Sequence, residues 1–264
     1  MKSLAAILGS AFGKSIPEIL DMKPREIDTE WGPQTLYETE SSEGRPVYVL
    51  LRHGAERRLL PNQINYRAQA RALKLVDCGA LLINSSVGVL DPDLPLFEPM
   101  LLTDLIMPEN RLPDGSACTM FDSPDPDEEQ GHLVLEEGLF SRSLTGQVYE
   151  LEPGAIRNPD REIVFVYAGG PRSKTAAENR MWAQLGGQVN SMTVAPEVIL
   201  ANELEIPVAG LVVGHKYSVP GIDNPPHADI TESLEQARAA TERILLKFLE
   251  NGTPVPFGNY IYRY

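Results

Sequence analysis

Four short clusters along the 264-residue chain combine small residues with hydroxyl or basic side chains, and each lies at or beside an apolar run. They are Gly9-Ser10-Ala11-Phe12-Gly13, Arg52-His53-Gly54, Asn84-Ser85-Ser86-Val87-Gly88, and Ser191-Met192-Thr193-Val194-Ala195-Pro196-Glu197. Small-residue loops let backbone N–H groups and Ser or Thr hydroxyls close around an anion. Arg52 adds a planar fork of donors suited to phosphate, and His53 beside it adds another. Arg57 and Arg58 follow, concentrating positive charge locally in a chain whose formal charge is −14. The first loop has neither the Walker lysine nor the dinucleotide glycine pattern, so it gives no support for ATP or NAD.

Charge and composition exclude several classes. With 37 acidic residues against 23 basic ones, the chain has no basic face for a nucleic-acid backbone, although a small anion needs only a local pocket. No run of about 18 apolar residues is present, which argues against a membrane span. Two cysteines, Cys78 and Cys118, are too few for a disulfide framework or a four-ligand metal site and fit reduced thiols in a cytoplasmic protein. Neither metal-ligand spacing nor a Ser/His/Asp signature appears, so neither metal nor cofactor is expected.

The elements that must position the clusters are legible as continuous apolar runs at Leu4–Leu8, Val47–Leu51, Ala80–Ile83, Ile163–Tyr167 and Val208–Val213. Continuous rather than alternating runs predict strands covered on both faces. Helical patterns fall between them at Tyr66–Val76, Ala176–Leu185, Glu197–Leu204 and Thr231–Leu249. This alternation predicts an α/β layered fold with a parallel or mixed sheet, at whose rim the four clusters would converge. Thr175 and Glu178 have capping-box spacing, Pro196 suits a first helical turn, Asp229 suits an N-cap, and Asn251-Gly252 reads as an αL stop. Between about 107 and 160 the pattern weakens into turn chemistry and an acidic run at 122–129, read as an irregular excursion within one domain spanning 1–264. His132 reads as a surface residue, and Trp31 and Trp182 as packing or interface residues.

Taken in order, Arg52-His53-Gly54, Pro61-Asn62-Gln63-Ile64-Asn65-Tyr66-Arg67-Ala68, Gly170-Pro171-Arg172 and Met192-Thr193-Val194-Ala195-Pro196-Glu197-Val198 give a further reading. In these segments the chain resembles the purine nucleoside phosphorylase and methylthioadenosine phosphorylase family, from about residue 4 to 250, with the middle loops matching poorly. The resemblance implies a twisted mixed sheet flanked by helices, a homotrimer or hexamer, and a pentosyltransferase that cleaves a purine-type nucleoside with inorganic phosphate. Carried over by position, Ser10, Arg52, His53, Ser85 and Thr193 would hold phosphate, and Ser86 and Met192 would line the ribose. His227 would lie near a 5′-substituent, and Tyr66 would serve a neighbouring subunit's pocket. Such chemistry needs an anion fixed under an oxocarbenium-like sugar and some means of stabilising the departing base.

The base end departs from the family. Where the purine nucleoside branch has an aromatic residue and a Glu after Gly-Pro-x, this chain has Ser173 and Lys174. Where the family places Asn or Asp against the base, the chain reads Gly214-His215-Lys216-Tyr217-Ser218. Lys174 and Lys216 would then either face the base or point to solvent, as lysines commonly do, with His215 as acid to the leaving group because its pKa can sit near neutrality. These donors suit a 6-oxopurine better than adenine. The alternatives are a hydrolytic nucleosidase, which needs no anion site, and a nucleoside-binding homologue without activity.

Overall fold

The apolar runs read as unbroken because each strand feeds two cores. In the computed structural model, residues 1–12, 14–55, 59–122, 130–156, 160–224 and 226–264 are described, by backbone alone at 227–231, 233, 234, 236 and 237. The strands are β1 (Ser3–Leu8), β2 (Lys23–Ile27), β3 (Gln34–Glu40), β4 (Pro46–Leu51), β5 (Cys78–Val89), β6 (Pro99–Leu101), β7 (Asp104–Ile106), β8 (Gly131–Val134), β9 (Val164–Tyr167), β10 (Val189–Ser191), β11 (Val208–Tyr217) and β12 (Tyr260–Arg263). The helices are α1 (Ser15–Ile19), α2 (Tyr66–Leu75), α3 (Arg142–Leu151), α4 (Ala176–Gln184), α5 (Ala195–Glu203) and α6 (His227–Asn251). On β1, Ala5 and Ile7 enter one core with Leu81, Phe165 and Val198, while Leu4, Ala6 and Leu8 enter the other with Leu82, Ile244 and Phe248. The two-residue period of the strand makes this division, with α2 and α5 covering one face and α3 and α6 the other.

The result is an α/β fold with a mixed central sheet flanked by helices, ordered β2-β3-β4-β1-β5-β10-β9-β7 with β11 and β6 branching from β5. Pairings β1–β4, β1–β5, β5–β11, β9–β10 and β7–β9 are parallel. The 12-residue β5 is the axis. On one edge it carries β11 from Leu81 to Val89. On the other, β1 pairs as far as Ile83 and β10 joins only at Gly88. The stretch between, 84–87, faces the gap left between β1 and β10, and the candidate site is built there.

All five expected strands and all four expected helices are present, with Thr175 and Glu178 closing a reciprocal capping box and Pro196 in the first turn of α5. Several local readings are corrected. The 107–160 excursion is not irregular throughout: it holds β8, which pairs with β12, and α3, capped by Ser141 and anchored by buried Leu144 and Val148. Helix α6 does not stop through a left-handed residue, since Gly252 has φ −65° and ψ 158°. Glycine is needed there for space, because a Cβ would lie 2.5 Å from the Phe248 carbonyl oxygen. Asp229 falls inside α6, which starts at His227 after Pro226, and so is no N-cap. Gly13, Arg57, Arg58 and, of the acidic run, residues 123–129 lie outside the described residues. His132 is exposed against Tyr262 and Tyr264. Both cysteines are free and buried, and burial pushes each thiol up to about 12. Among the described residues no helix is long and apolar enough to cross a membrane.

Candidate active site

Arg52 leaves β4 with its backbone pinned on both sides: its N–H donates to Leu8 O (3.1 Å) and its carbonyl accepts from Gln69 Nε2 (3.0 Å). Its side chain is 1% exposed. The sequence alone offers the whole guanidinium fork to an anion; instead Nε and Nη2 donate to the two carboxylate oxygens of Glu197, at 2.5 and 2.8 Å. A bidentate charge-assisted pair of this kind fixes the plane of the guanidinium. The third nitrogen, Nη1, runs past Gly9, where a Cβ would lie only 3.0 Å from it. Gly9 is thus required by a close approach.

Glu197 is the functional residue that residue-by-residue reading missed. Its signal was in the sequence: a carboxylate in the otherwise apolar stretch Ala195–Ala201, whose helix buries it at 3% exposure, must find a cation. What carries it there is Val194. With φ 73° and ψ −57°, and with Ala195 N–H donating to Thr193 O at 2.9 Å, Val194 is the centre of a positive-φ γ-turn. That backbone is unusual for a β-branched residue and costs about 1–3 kcal/mol. It swings the chain from β10 into α5, leaving Thr193 at the cavity and Glu197 under Arg52.

The other expected residues gather at the same place. His53 Nδ1 lies 2.8 Å from Leu59 O, and since a carbonyl only accepts, Nδ1 carries the proton. Ser85 is buried on β5, with its hydroxyl donating to Ser86 O (3.2 Å), while Ser86 is exposed. Met192 packs against Gly170, whose missing Cβ makes room for its sulfur. A cavity of about 730 Å³ is lined by Ser10, Arg52, His53, Ser85, Ser86, Met192 and Thr193 together with Ser173, Lys174, His215, Lys216 and Ser218. Gly9, Arg52 and Ser85 touch near one end, and Gly88, Asn190 and Ser218 near the other. Ser85 and Gly88 lie three residue steps apart on β5, about 10 Å of strand, a span that suits a nucleoside with an anion under its sugar. A second cavity of about 610 Å³, beside α3, is lined by Asp104, Glu136, Glu137 and Glu162 against one basic residue, Arg142; the excess of negative charge makes it a poor place for a phosphate dianion.

The base-end residues occupy a bulge. The β5–β11 register shifts between Gly214 and Lys216, so His215 is the extra residue, a device that re-aims a side chain. Its Nδ1 is buried without a hydrogen-bond partner among the described residues. Burial, then the charge of Lys216, lowers its pKa below the ordinary value, against a hydrogen bond to the Val87 backbone. A lowered pKa disfavours the protonated ring that an acid to the leaving group would need. Lys174 Nζ donates to Gly169 O (3.0 Å) and Arg172 O (3.2 Å). Burial, then Arg172, brings its pKa down to about 8, Lys216 acting the same way and Glu178 opposing.

Two expectations fall elsewhere. Tyr66 does not reach toward a neighbouring subunit: it is 2% exposed and packed with Leu112, Cys118 and Leu200 of its own chain, and burial raises its pKa. His227 begins α6, and its side chain lies outside the described residues.

The phosphorylase superfamily model matches residues 4–250. A protein named as a probable S-methyl-5′-thioinosine phosphorylase from Methanopyrus kandleri is 30% identical over 258 residues, 95% of this chain and 93% of that one. S-methyl-5′-thioadenosine phosphorylase 1 of Puccinia graminis is 29% identical, covering 79% of this chain and 71% of its own. The structure of methylthioadenosine phosphorylase from Schistosoma mansoni in complex with adenine aligns at a TM-score of 0.80 and 22% identity, over 94% of this chain and 91% of that one, a likeness of fold. The fold, the four converging loops and the match over nearly the whole length lead to one conclusion: the chain belongs to the phosphorylase superfamily.

Proposed function

We propose that the protein is a nucleoside phosphorylase that cleaves the N-glycosidic bond of a purine-type nucleoside with inorganic phosphate, giving free base and pentose 1-phosphate. The observation that carries this reading is the convergence of Ser10, Arg52, His53, Ser85 and Thr193 on one cavity, with Arg52 Nη1, the guanidinium nitrogen that Glu197 does not engage, running past Gly9. Held by these donors, phosphate sits below the anomeric carbon, where proximity and charge favour attack on an oxocarbenium-like sugar. Phosphate is itself the nucleophile, so the chain supplies position and charge, and no step calls for a cofactor. Ser86 and Met192 line the ribose, and the family resemblance assigns His227 to the 5′-substituent. The names of the two curated relatives favour a 5′-methylthio group and either a 6-oxo or a 6-amino purine; the donors Lys174 and Lys216 favour the 6-oxo form.

The reading extends to a homo-oligomer, trimer or hexamer, supported by the family resemblance, of single-domain subunits, and to the cytoplasm, supported by two unpaired cysteines. Incubating ordinary and 5′-methylthio purine and pyrimidine nucleosides with and without phosphate tests the activity. Base should appear only with phosphate, matched by pentose 1-phosphate. Release in phosphate-free buffer would mean hydrolysis, and binding with no release across the panel would mean a homologue without activity.

A further inference from the structure

The cavity's charge is one-sided. Its described lining holds Arg52, Lys174, Lys216, His53 and His215 and not one Asp or Glu, in a chain whose formal charge is −14. Arg52 serves the anion end. The two lysines lie toward the other end: Lys216 is paired with Gly88 on β5, and Lys174 folds back over the Gly169–Arg172 turn, held there by two carbonyls. Lys174, His215 and Lys216 all line the cavity, and Lys216 acts electrostatically on the other two. The other charged groups facing Lys174 are Arg172 and Glu178, which bind each other through two hydrogen bonds at 2.9 and 2.6 Å.

Ammonium groups only donate. A base matched to this wall presents oxo oxygens to the lysines. Adenine presents an amino group, whose N–H bonds would face two further sets of donors.

Resting on the phosphorolysis reading, we propose that the leaving group is an oxopurine expelled as its anion, stabilised by Lys174 and Lys216 rather than by proton transfer from the enzyme. The C1′–N9 bond breaks with both electrons passing to the base, while a phosphate oxygen forms the new bond to C1′. The base charge spreads over the ring and its oxo oxygens beside the ammonium groups, and the anion takes a proton from water after release. A dioxopurine fits best, because a ring N–H between two carbonyls is acidic and its second oxo group engages the second lysine.

Calorimetric titration of adenine, hypoxanthine and xanthine into the protein, with phosphate present and pentose 1-phosphate absent, tests this apart from turnover. Xanthine should bind at least tenfold more tightly than adenine, with hypoxanthine between. Lys216→Met, at an exposed position, should cost xanthine tenfold or more and leave adenine within about twofold, and Lys216→Arg should recover most of the loss. Adenine binding as tightly as the oxo bases, equal losses for all three bases in Lys216→Met, or no binding of either oxo base would overturn the proposal. Phosphate-dependent cleavage that prefers adenosine would overturn it while leaving phosphorolysis intact; the expected base order without turnover would do the reverse.

Discussion

Arg52 and Glu197 are 145 positions apart in the chain, and neither can be removed alone at low cost. Arg52→Ala leaves a buried carboxylate without a partner and should lower stability by about 3–5 kcal/mol in urea denaturation. The double variant Arg52→Met/Glu197→Leu should recover most of that, since an apolar pair of similar volume often replaces a buried ion pair without loss. It should nonetheless show no phosphate-dependent base release; activity at the original level would remove Arg52 from the anion site. Lys174 gives a second prediction. Its pKa of about 8 lies below that of a free lysine, so its charge is present below pH 8 and lost above it. With a hypoxanthine nucleoside, whose base stays neutral near pH 8, kcat should fall as pH rises through about 8, and Lys174→Met should lack that limb. At this scale the sequence showed which residue types stood at the strand ends, but not which donors were already engaged. The type of Arg52 was legible; its engagement by Glu197 was not, because their meeting depends on the turn at Val194.

Among the elements, α4 carries the Arg172–Lys174 turn and is anchored by its own first residues. Thr175 Oγ1 accepts from Glu178 N–H (3.2 Å) and Glu178 Oε2 accepts from Thr175 N–H (2.7 Å). Thr175→Ala should cost about 1 kcal/mol of stability. Hydrogen bonds from Arg172, then from Thr175, bring the Glu178 carboxyl from its ordinary 4.5 to about 2. A carboxyl lowered in the folded state contributes stability above its unfolded pKa and loses it as pH falls toward the folded one. Acid titration should therefore show less stability lost between pH 4.5 and 2 in Glu178→Gln than in the parent. Gly9→Ala tests the β1 loop: its Cβ would press on Nη1, so the KM for phosphate should rise several-fold while the urea midpoint moves little. The strands were legible wherever both faces are buried, because a continuous apolar run has few other readings. Hairpin β2–β3 escaped because β2 is exposed at four of its five residues, and α3 because it buries only Leu144 and Val148.

At the scale of the whole molecule, β5 gathers chain ends far apart in sequence. It carries β1 on one edge only as far as Ile83 and β10 from Gly88, and the gap between them receives the loops after β1, β4 and β10. Alternation of strand and helix pointed to such a rim, but not to which strands would border the gap, which depends on where each ladder stops. The central claim is that these loops form one oxyanion cradle beside a sugar site, and a crystal structure determined with saturating phosphate tests it most directly. The account predicts one tetrahedral anion within hydrogen-bonding distance of Arg52 Nη1 and of the Ser10, Ser85 and Thr193 hydroxyls. An enzyme active with phosphate whose crystals place that anion elsewhere, or bind none in this cavity, would contradict it.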